Sequence, residues 1–390
     1  MSHLSYLEKL LDGVDVEWTT LGNEYAVEIA NSGRKPVKAT LRVAGQTPYY
    51  GANNIQDYVE GYTHDGEFVL IAEDGSASLE NYSIQYARGR FWANNHVHVV
   101  RGKEGLNTRF LYHYLHIVNF IPFLSGGGRA KLTKGKLVDI PLPIPCPDNP
   151  EKSLAIQAEI VRILDAFTAM TAELTAELNM RKKQYNYYRD QLLSFDLSAD
   201  QAGEGDVEWV KLSTVANIKN GKDWKKLGSG KIPVYGSGGI MQYVDTFAYN
   251  KPTVLIPRKG SITNIFYVDE PFWNVDTIYY TELDLDKIIP KFFYYFMTTI
   301  DIMQLDTGSG RPSLTQAILN EIKIPLPTLE EQARIISLLD KFDTLTTSLQ
   351  EGLPREIELR QKQYEYYRDL LLSFPASPAG GPKSHSDEAA

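Results

Sequence analysis

EKSLAIQAEIVRILDAFTAMTAELTAELNMRKKQYNYYRDQLLSF, residues 151–195, reads as one long helix. Apolar residues recur at Ile156, Ile160, Ile163, Phe167, Met170, Leu174 and Leu178, then at Tyr185, Tyr188, Leu192 and Phe195. Steps of three and four mark a narrow helical stripe. No Pro or Gly interrupts it, and good helix formers fill the other faces. Such a helix spans about 60 Å, too long for one compact domain, and so narrow a stripe needs a partner helix.

The partner is in the same chain. RQKQYEYYRDLLLSF at 360–374 nearly copies RKKQYNYYRDQLLSF at 181–195, and Leu339, Asp340 and Phe342 echo Leu164, Asp165 and Phe167. Gly352-Leu353-Pro354 predicts a kink or break in this second helix, because proline removes a hydrogen bond and clashes with the preceding turn. Tyr6, Leu10 and Leu11 have the spacing of Tyr188, Leu192 and Leu193, and both stretches run on into Val-Glu-Trp, at 16–18 and 207–209. The N-terminal stub therefore looks like the end of a third helix copy. The layout is cyclic: helix end, domain, helix, domain, helix.

Between the helices lie two units in the same order. TPYYGANNIQDYV is answered by IPVYGSGGIMQYV, EFVLIAEDGS by PTVLIPRKGS, and RFWANNHVHVV by EPFWNVDTIYY. RFLYHYLHIVNFI is answered by KFFYYFMTTIDIM, SGGGRAKLTK by TGSGRPSLTQ, and IPLP at 140–143 by IPLP at 324–327. FVLIA and FWANNHVHVV suit strands bounded by tight turns, and LNTRFLYHYLHIVNFI has helical spacing. IPLPIPCP at 140–147 reads as an extended connector. SADQAGEGD at 198–206 is a polar linker, and the tail PASPAGGPKSHSDEAA is expected to be disordered.

The chain has 390 residues, room for two or three domains, and 43% hydrophobic content lets both halves build cores. No long apolar run predicts a membrane helix, and the N-terminus lacks a signal-peptide pattern. A single cysteine, Cys146, excludes an internal disulfide framework and fits a reducing, cytoplasmic setting. Net charge is −9, yet SGGGRAKLTKGK at 125–136 and KNGKDWKK at 219–226 are locally basic, and local patches make the electrostatic footprint.

Catalytic signatures are missing. There is no phosphate loop, no dinucleotide-binding fingerprint, and no Asn/Asp-Pro-Pro-Tyr/Phe run of the kind that holds a target amine in aminomethyltransferases. Glu321-Ile322-Lys323 fits half of a nuclease site only by a common triplet. His96 and His98 should share one strand face as polar residues, with no acidic or cysteine cluster to complete a metal site. His113 and His116, one helical turn apart, read as packing or surface residues. Cys146 has no basic neighbour to activate it.

Three loop classes could meet a duplex. One is the Gly/Asn loop with Asn53 and Asn54, answered by Ser237 and Gly238, where small and amide residues allow close approach and can read base edges. Another is Arg258-Lys259-Gly260-Ser261, offering guanine readout or phosphate clamping; Glu73-Asp74 stands in its place in the first unit. The third is Arg129 with Lys131 and Thr133, answered by Arg311 and Ser313, a Gly-rich basic loop suited to phosphates. Lys222 and Lys225 add a basic run. Two unlike readers on one rigid pair of helices would read a two-part site that need not be a palindrome.

The chain resembles the DNA-specificity subunit (HsdS) of type I restriction-modification systems. PCPDNPEKSLAIQAEI…QLLSF resembles the central conserved region of the IC group, and SYLEKLLDGVDVEW and LPTLEEQARIISLLDKFDTL resemble its other conserved segments. The resemblance implies an α+β fold: two mixed α/β target-recognition domains in tandem repeat, separated by two long antiparallel coiled-coil-like helices. The expected boundaries are a stub at 1–15, the first recognition domain at 16–150, a helix at 151–197 and a linker at 198–206. The second recognition domain follows at 207–327, then a helix at 328–374 and a tail at 375–390. It also implies a non-catalytic subunit that binds double-stranded DNA and carries no cofactor itself. Two modification subunits would bring S-adenosylmethionine for adenine methylation, and restriction subunits would bring ATP and Mg for translocation and cleavage. The recognition domains vary within the family, so the loop residues above rest on their own chemistry. The competing reading is a non-catalytic coiled-coil scaffold with two protein-binding domains, which leaves the paired basic loops unexplained.

Overall fold

The computed structural model describes residues 6–126, 130–195, 207–308, 310–348 and 351–375. Contacts divide the chain into two units, one up to Glu173 and again from Ile357, the other from Leu174 to Glu356. The linker 198–206, the tail after Pro375 and Arg129 of the first basic loop fall outside the described residues.

In the first unit, helix α1 (Tyr6–Leu11) precedes strands β1 (Val16–Thr20), β2 (Val27–Ile29), β3 (Ala44–Tyr50), β4 (Ile55–Val59), β5 (His64–Ala72), β6 (Ile84–Ala93) and β7 (Val97–Gly102). Helices α2 (Thr108–Leu115) and α3 (Lys134–Leu137) and strand β8 (Pro141–Pro145) follow. The six-stranded sheet runs β2-β7-β5-β6-β3-β4, with β3 and β6 parallel and the other pairs antiparallel. Phe68–Ala72 is buried on both faces because it is central. Its period of two sends Val69 and Ile71 into the core beneath α2, and Phe68 and Leu70 into a second core with Phe91, Val97 and Val99.

Helix α4 (Pro150–Leu192) spans 43 residues, and its Glu173–Leu174 step falls at the division between units. The second unit holds β9 (Glu208–Lys211), α5 (Leu212–Val215), β10 (Ala216–Asn220), β11 (Ser229–Gly236), β12 (Gly239–Val244), β13 (Thr253–Pro257), β14 (Phe266–Val268), β15 (Trp273–Asn274) and β16 (Ile278–Leu283). Helices α6 (Pro290–Met297) and α7 (Gln316–Asn320) and strand β17 (Lys323–Leu326) complete it. The strand order matches the first unit, but the counterpart of β6 is two short strands, β14 and β15. Pro271 lies between them, where it cannot donate to a ladder, and the sheet divides into four- and three-stranded parts. Helices α8 (Leu329–Thr347) and α9 (Leu353–Leu372) end the chain.

The second long helix is thus two helices, and Gly352 at φ +104° marks the turn between them. A Cβ there would stand 2.5 Å from the Thr344 carbonyl oxygen, so the close approach needs glycine. The proline-rich connector proves to be a strand. Pro141, Pro143 and Pro145 of β8 pair with Thr20, Trp18 and Val16 of β1, and alternate spacing turns their missing N–H groups away from the partner. The same ladder recurs as β17 with β9.

One clasp fixes each domain to its helix. Asp165 of α4 accepts hydrogen bonds from Arg109 Nε and His113 Nε2 of α2, both at 2.8 Å. In the second unit, Asp340 of α8 meets Lys291 at 2.8 Å and accepts from the Tyr295 hydroxyl of α6 at 2.5 Å. Buried Gln157 accepts from the Asn107 N–H at 2.8 Å, and buried Gln332 from the Ile289 N–H at 2.8 Å. Each glutamine thereby satisfies a backbone donor beside a helix start. His113 and His116 therefore pack, as expected, with His113 also a clasp member. Pro375, expected in the tail, accepts from Trp18 Nε1 at 2.8 Å.

Burial pushes His113 and His116 down to about 4 and also lowers His98, opposed there by its hydrogen bond to the Leu132 carbonyl. Unfolded histidine titrates near ~6.5, so between ~4 and ~6.5 the unfolded chain binds more protons than the folded one. Stability therefore rises with pH across that window and is lost as pH falls through it. Residues 174–356 contain no histidine. Hydrogen exchange corrected for intrinsic rates should show the first unit losing protection before the second between pH 6.5 and 4.5. Equal loss in both would refute this assignment.

Candidate nucleic-acid interface

In the second unit the three loop classes meet. Arg258 N–H and Lys259 N–H donate to the Thr277 carbonyl at 2.8 and 3.2 Å, and the Arg258 carbonyl accepts from Leu314 N–H at 2.9 Å. Lys259 forms an isolated bridge with Ser313, and Gly260 N–H donates to the Pro312 carbonyl at 3.1 Å. Ser237 N–H donates to Thr277 Oγ1 at 3.3 Å, and Asn264 Nδ2 reaches the Ser237 carbonyl at 3.1 Å. Gly260, at φ +85°, carries no Cβ that would crowd Ser237 Oγ. Asp306 Oδ1 accepts from the Gly308 and Ser313 N–H groups, which hold its carboxyl below the usual range and shape the loop that carries Arg311. Ser261 lies exposed at the rim.

The Arg258 guanidinium lies 6.0 Å from the Tyr279 ring centroid, and no carboxylate among the described residues is within ion-pair distance of it. Lys222, Lys225, Lys259 and Arg311 are exposed. Lys222 and Lys225 border a cleft of about 460 Å³ with Trp224, Met241 and Thr277. Asp223 and Asp276 also line the cleft and balance its two lysines, and Thr277 joins it to the three loops, where Arg258, Lys259 and Arg311 supply the positive charge a polyanion would meet.

The first unit repeats this backbone with different charges. Glu73 N–H donates to the His96 carbonyl, and Leu132 N–H to the Glu73 carbonyl. Asp74 bridges to Lys131 as Lys259 does to Ser313. The Glu73 carboxylate is tied to Arg34 at 2.6 Å and Lys131 at 3.0 Å. Burial pushes its carboxyl up, but the hydrogen bonds from those two cations prevail and leave it below the ordinary value. Lys131 therefore neutralises Glu73 rather than standing free. Thr133 caps α3 by position, without a side-chain hydrogen bond.

Asn53 also serves the loop itself. Its Nδ2 donates to the Gly75 carbonyl at 2.9 Å, and its Oδ1 accepts from Ala77 N–H and Ser83 Oγ. Asn54 is exposed at the same turn. Strand register sets Tyr50 against Ile55 and Tyr235 against Ile240, so Ser237 matches Ala52 and Gly238 matches Asn53, one residue off the sequence pairing. His96 and His98 do not share a strand face, because β7 begins at Val97. His98 is buried, with Nε2 on the Leu132 carbonyl at 2.7 Å, whereas His96 meets Asp74 at the surface.

The sequence reading missed Lys35 and Lys38. Trp92 Nε1 donates to the Lys35 carbonyl at 2.7 Å, and Trp273 Nε1 to the Lys222 carbonyl at 3.0 Å. Lys35 and exposed Lys38 thus take the places of Lys222 and Lys225. The signal was present: RKPVK precedes TPYYG as KDWKK precedes PVYGS.

Two similar readers, each clasped to paired helices, define a two-module recognition protein. The family model described as "Type I restriction modification DNA specificity domain" matches twice, at 16–181 and 204–359. The chain belongs to that family. It is 49% identical to a putative type I restriction enzyme specificity subunit of Haemophilus influenzae, over 95% of this chain and 98% of that protein. A type I restriction enzyme specificity subunit of Escherichia coli is 37% identical, over 96% of this chain and 98% of its own length. The fold resembles the crystal structure of a type I restriction-modification S subunit from M. genitalium, with TM-score 0.62 and 19% identity, covering 94% of this chain and 98% of that one. Among the described residues no helix is long and apolar enough to cross a membrane, and no group of three or more His, Cys, Asp or Glu could hold a metal ion.

Arg258→Ala should relax recognition at one base position of one half-site, by about 1–3 kcal/mol of discrimination. Binding measured across single-substituted duplexes checks this. A uniform loss with a shallower salt dependence would assign Arg258 to a phosphate instead.

Proposed function

We propose that this specificity subunit reads a two-part, asymmetric DNA site, one half per unit, and directs partner subunits to methylate adenine or cleave. The carrying observation is the loop cluster built twice on one backbone, with Arg258 where Glu73 stands in the other copy. A duplicated receptor with exchanged charge suits two related but different ligands. The subunit supplies no chemistry. Two methyltransferase subunits bring S-adenosylmethionine, and restriction subunits bring ATP and Mg. The assembly works on double-stranded DNA in the cytoplasm, and the resemblance of its conserved segments supports membership of the IC group. Reconstitution with the methyltransferase partner, followed by mapping of methylated adenines, tests this. A two-part motif is expected. No motif, or methylation by the isolated chain, would overturn the reading.

On this reading α4 acts as a ruler. Residues 171–178 read TAELTAEL, across the division between units. A third TAEL after Leu178 adds four helix-forming residues, about 6 Å of rise and about 40° beyond a full turn. At about 3.4 Å per base pair, the gap should lengthen by one base pair, or two, with both half-sites unchanged. Methylation-motif sequencing of the insertion variant decides it. Full activity with the original gap would show that α4 does not set the distance.

A further inference from the structure

The hairpins β3–β4 and β11–β12 each contain a bulge at the same place. Tyr50 pairs with Ile55 and Tyr49 with Asp57, which leaves Gln56 as the extra residue; Tyr235 pairs with Ile240 and Val234 with Gln242, which leaves Met241. A bulge re-aims the side chain of its extra residue. Here both side chains fold back onto a buried glycine of the facing strand. A Cβ on Gly51 would stand 2.1 Å from Gln56 Nε2, and one on Gly236 would stand 2.4 Å from Met241 Sδ. Only a residue without a Cβ leaves these seats open. Neither glycine has positive φ, so the seat accounts for glycine where backbone strain does not.

These are the wrong side chains for a purely structural role. Gln56 is exposed, and no hydrogen bond of its amide is present among the described residues. Met241 is 58% exposed and borders the cleft of Lys222, Lys225 and Thr277. The neighbouring Asn53, by contrast, has both ends of its amide engaged within the protein. Each hairpin therefore holds one long, exposed side chain whose end lies against a glycine seat. A seated side chain loses little rotamer freedom on binding.

We propose that Gln56 and Met241 are equivalent base-reading residues, Gln56 contacting an adenine edge and Met241 a thymine methyl group in the major groove. A carboxamide offers one donor and one acceptor, matching adenine N7 and N6, and a thioether chain offers only apolar contact, matching the thymine 5-methyl. The two units thus differ in readout at one shared position. The inference rests on the DNA-reading function proposed above.

The test uses the complex with its methyltransferase partner. Gln56→Ala should relax one A·T position of the half-site read by the first unit, by about 5- to 150-fold, with the other half-site and gap unchanged. Gly51→Ala should relax the same position, because its Cβ displaces only the end of a flexible side chain. Met241→Ala and Gly236→Ala should do likewise in the other half-site. Wild-type binding should weaken with 7-deazaadenine at the Gln56 position and with uracil for thymine at the Met241 position, and the matching alanine variants should not respond to those analogues. Unchanged half-sites in the variants, beside a two-part wild-type motif, would overturn this inference alone. A uniform loss across sequences would make these phosphate or packing residues and also overturn it. A wild-type complex with no motif would overturn both readings.

Discussion

The clasp on Asp165, repeated on Asp340, is the constraint on which each unit depends. A cation and a hydrogen-bond donor four residues apart on α2 or α6 face the carboxylate together, because residues i and i+4 share a helix face. His113 is buried, so its Nε2–H donor needs a partner, and Asp165 supplies it. With Gln157 and Gln332 satisfying backbone N–H groups one to two turns away, the reader cannot slide on its helix without stranding several buried polar groups. Base recognition needs that fixity, since loops on a loosely held domain would have no defined register.

The helix ends close each unit in the same way. Phe374 meets Phe110, and Phe195 meets Phe292. Trp18 meets Tyr114, and Trp209 meets Phe296. Phe167 stacks on Tyr367 in the first unit, and Tyr188 on Phe342 in the second. Each unit is therefore finished by the end of the helix that follows the other reader. Near-identity of 181–195 and 360–374 has a physical cause: both must fit the same apolar seat, while the loops face no such demand.

Legibility followed the same division. The helix stripe, the tandem repeat and the strands around Phe68–Ala72 were readable because periodicity reports burial directly. The β8 and β17 ladders were hidden because proline removes one donor per residue and leaves alternate ladder sites intact. The second sheet splits where Pro271 lies between the two short strands. Within the candidate site, the meeting of the three loops could not be read, since it depends on Thr277 and Asn264, which carry no motif. Asn53 was read as an outward-facing amide, but Gly75 and Ala77 engage it, a contact across more than twenty residues that no local pattern reports.

The exchange of Glu73 for Arg258 shows how one backbone carries two recognition surfaces. A partly buried carboxylate at this position requires compensating cations, and Arg34 and Lys131 provide them. In the second unit the bridge partner equivalent to Lys131 is Ser313. A lysine there would face Arg258 and Lys259 as a like charge, so serine is the compatible choice. The residues covary as electrostatics requires, while the hydrogen bonds to the carbonyls of His96 and Thr277 hold the chain in place in both copies. Because those bonds are all backbone, they release positions 73 and 258 from keeping one kind of side chain. That release lets two readers diverge in what they contact without diverging in fold.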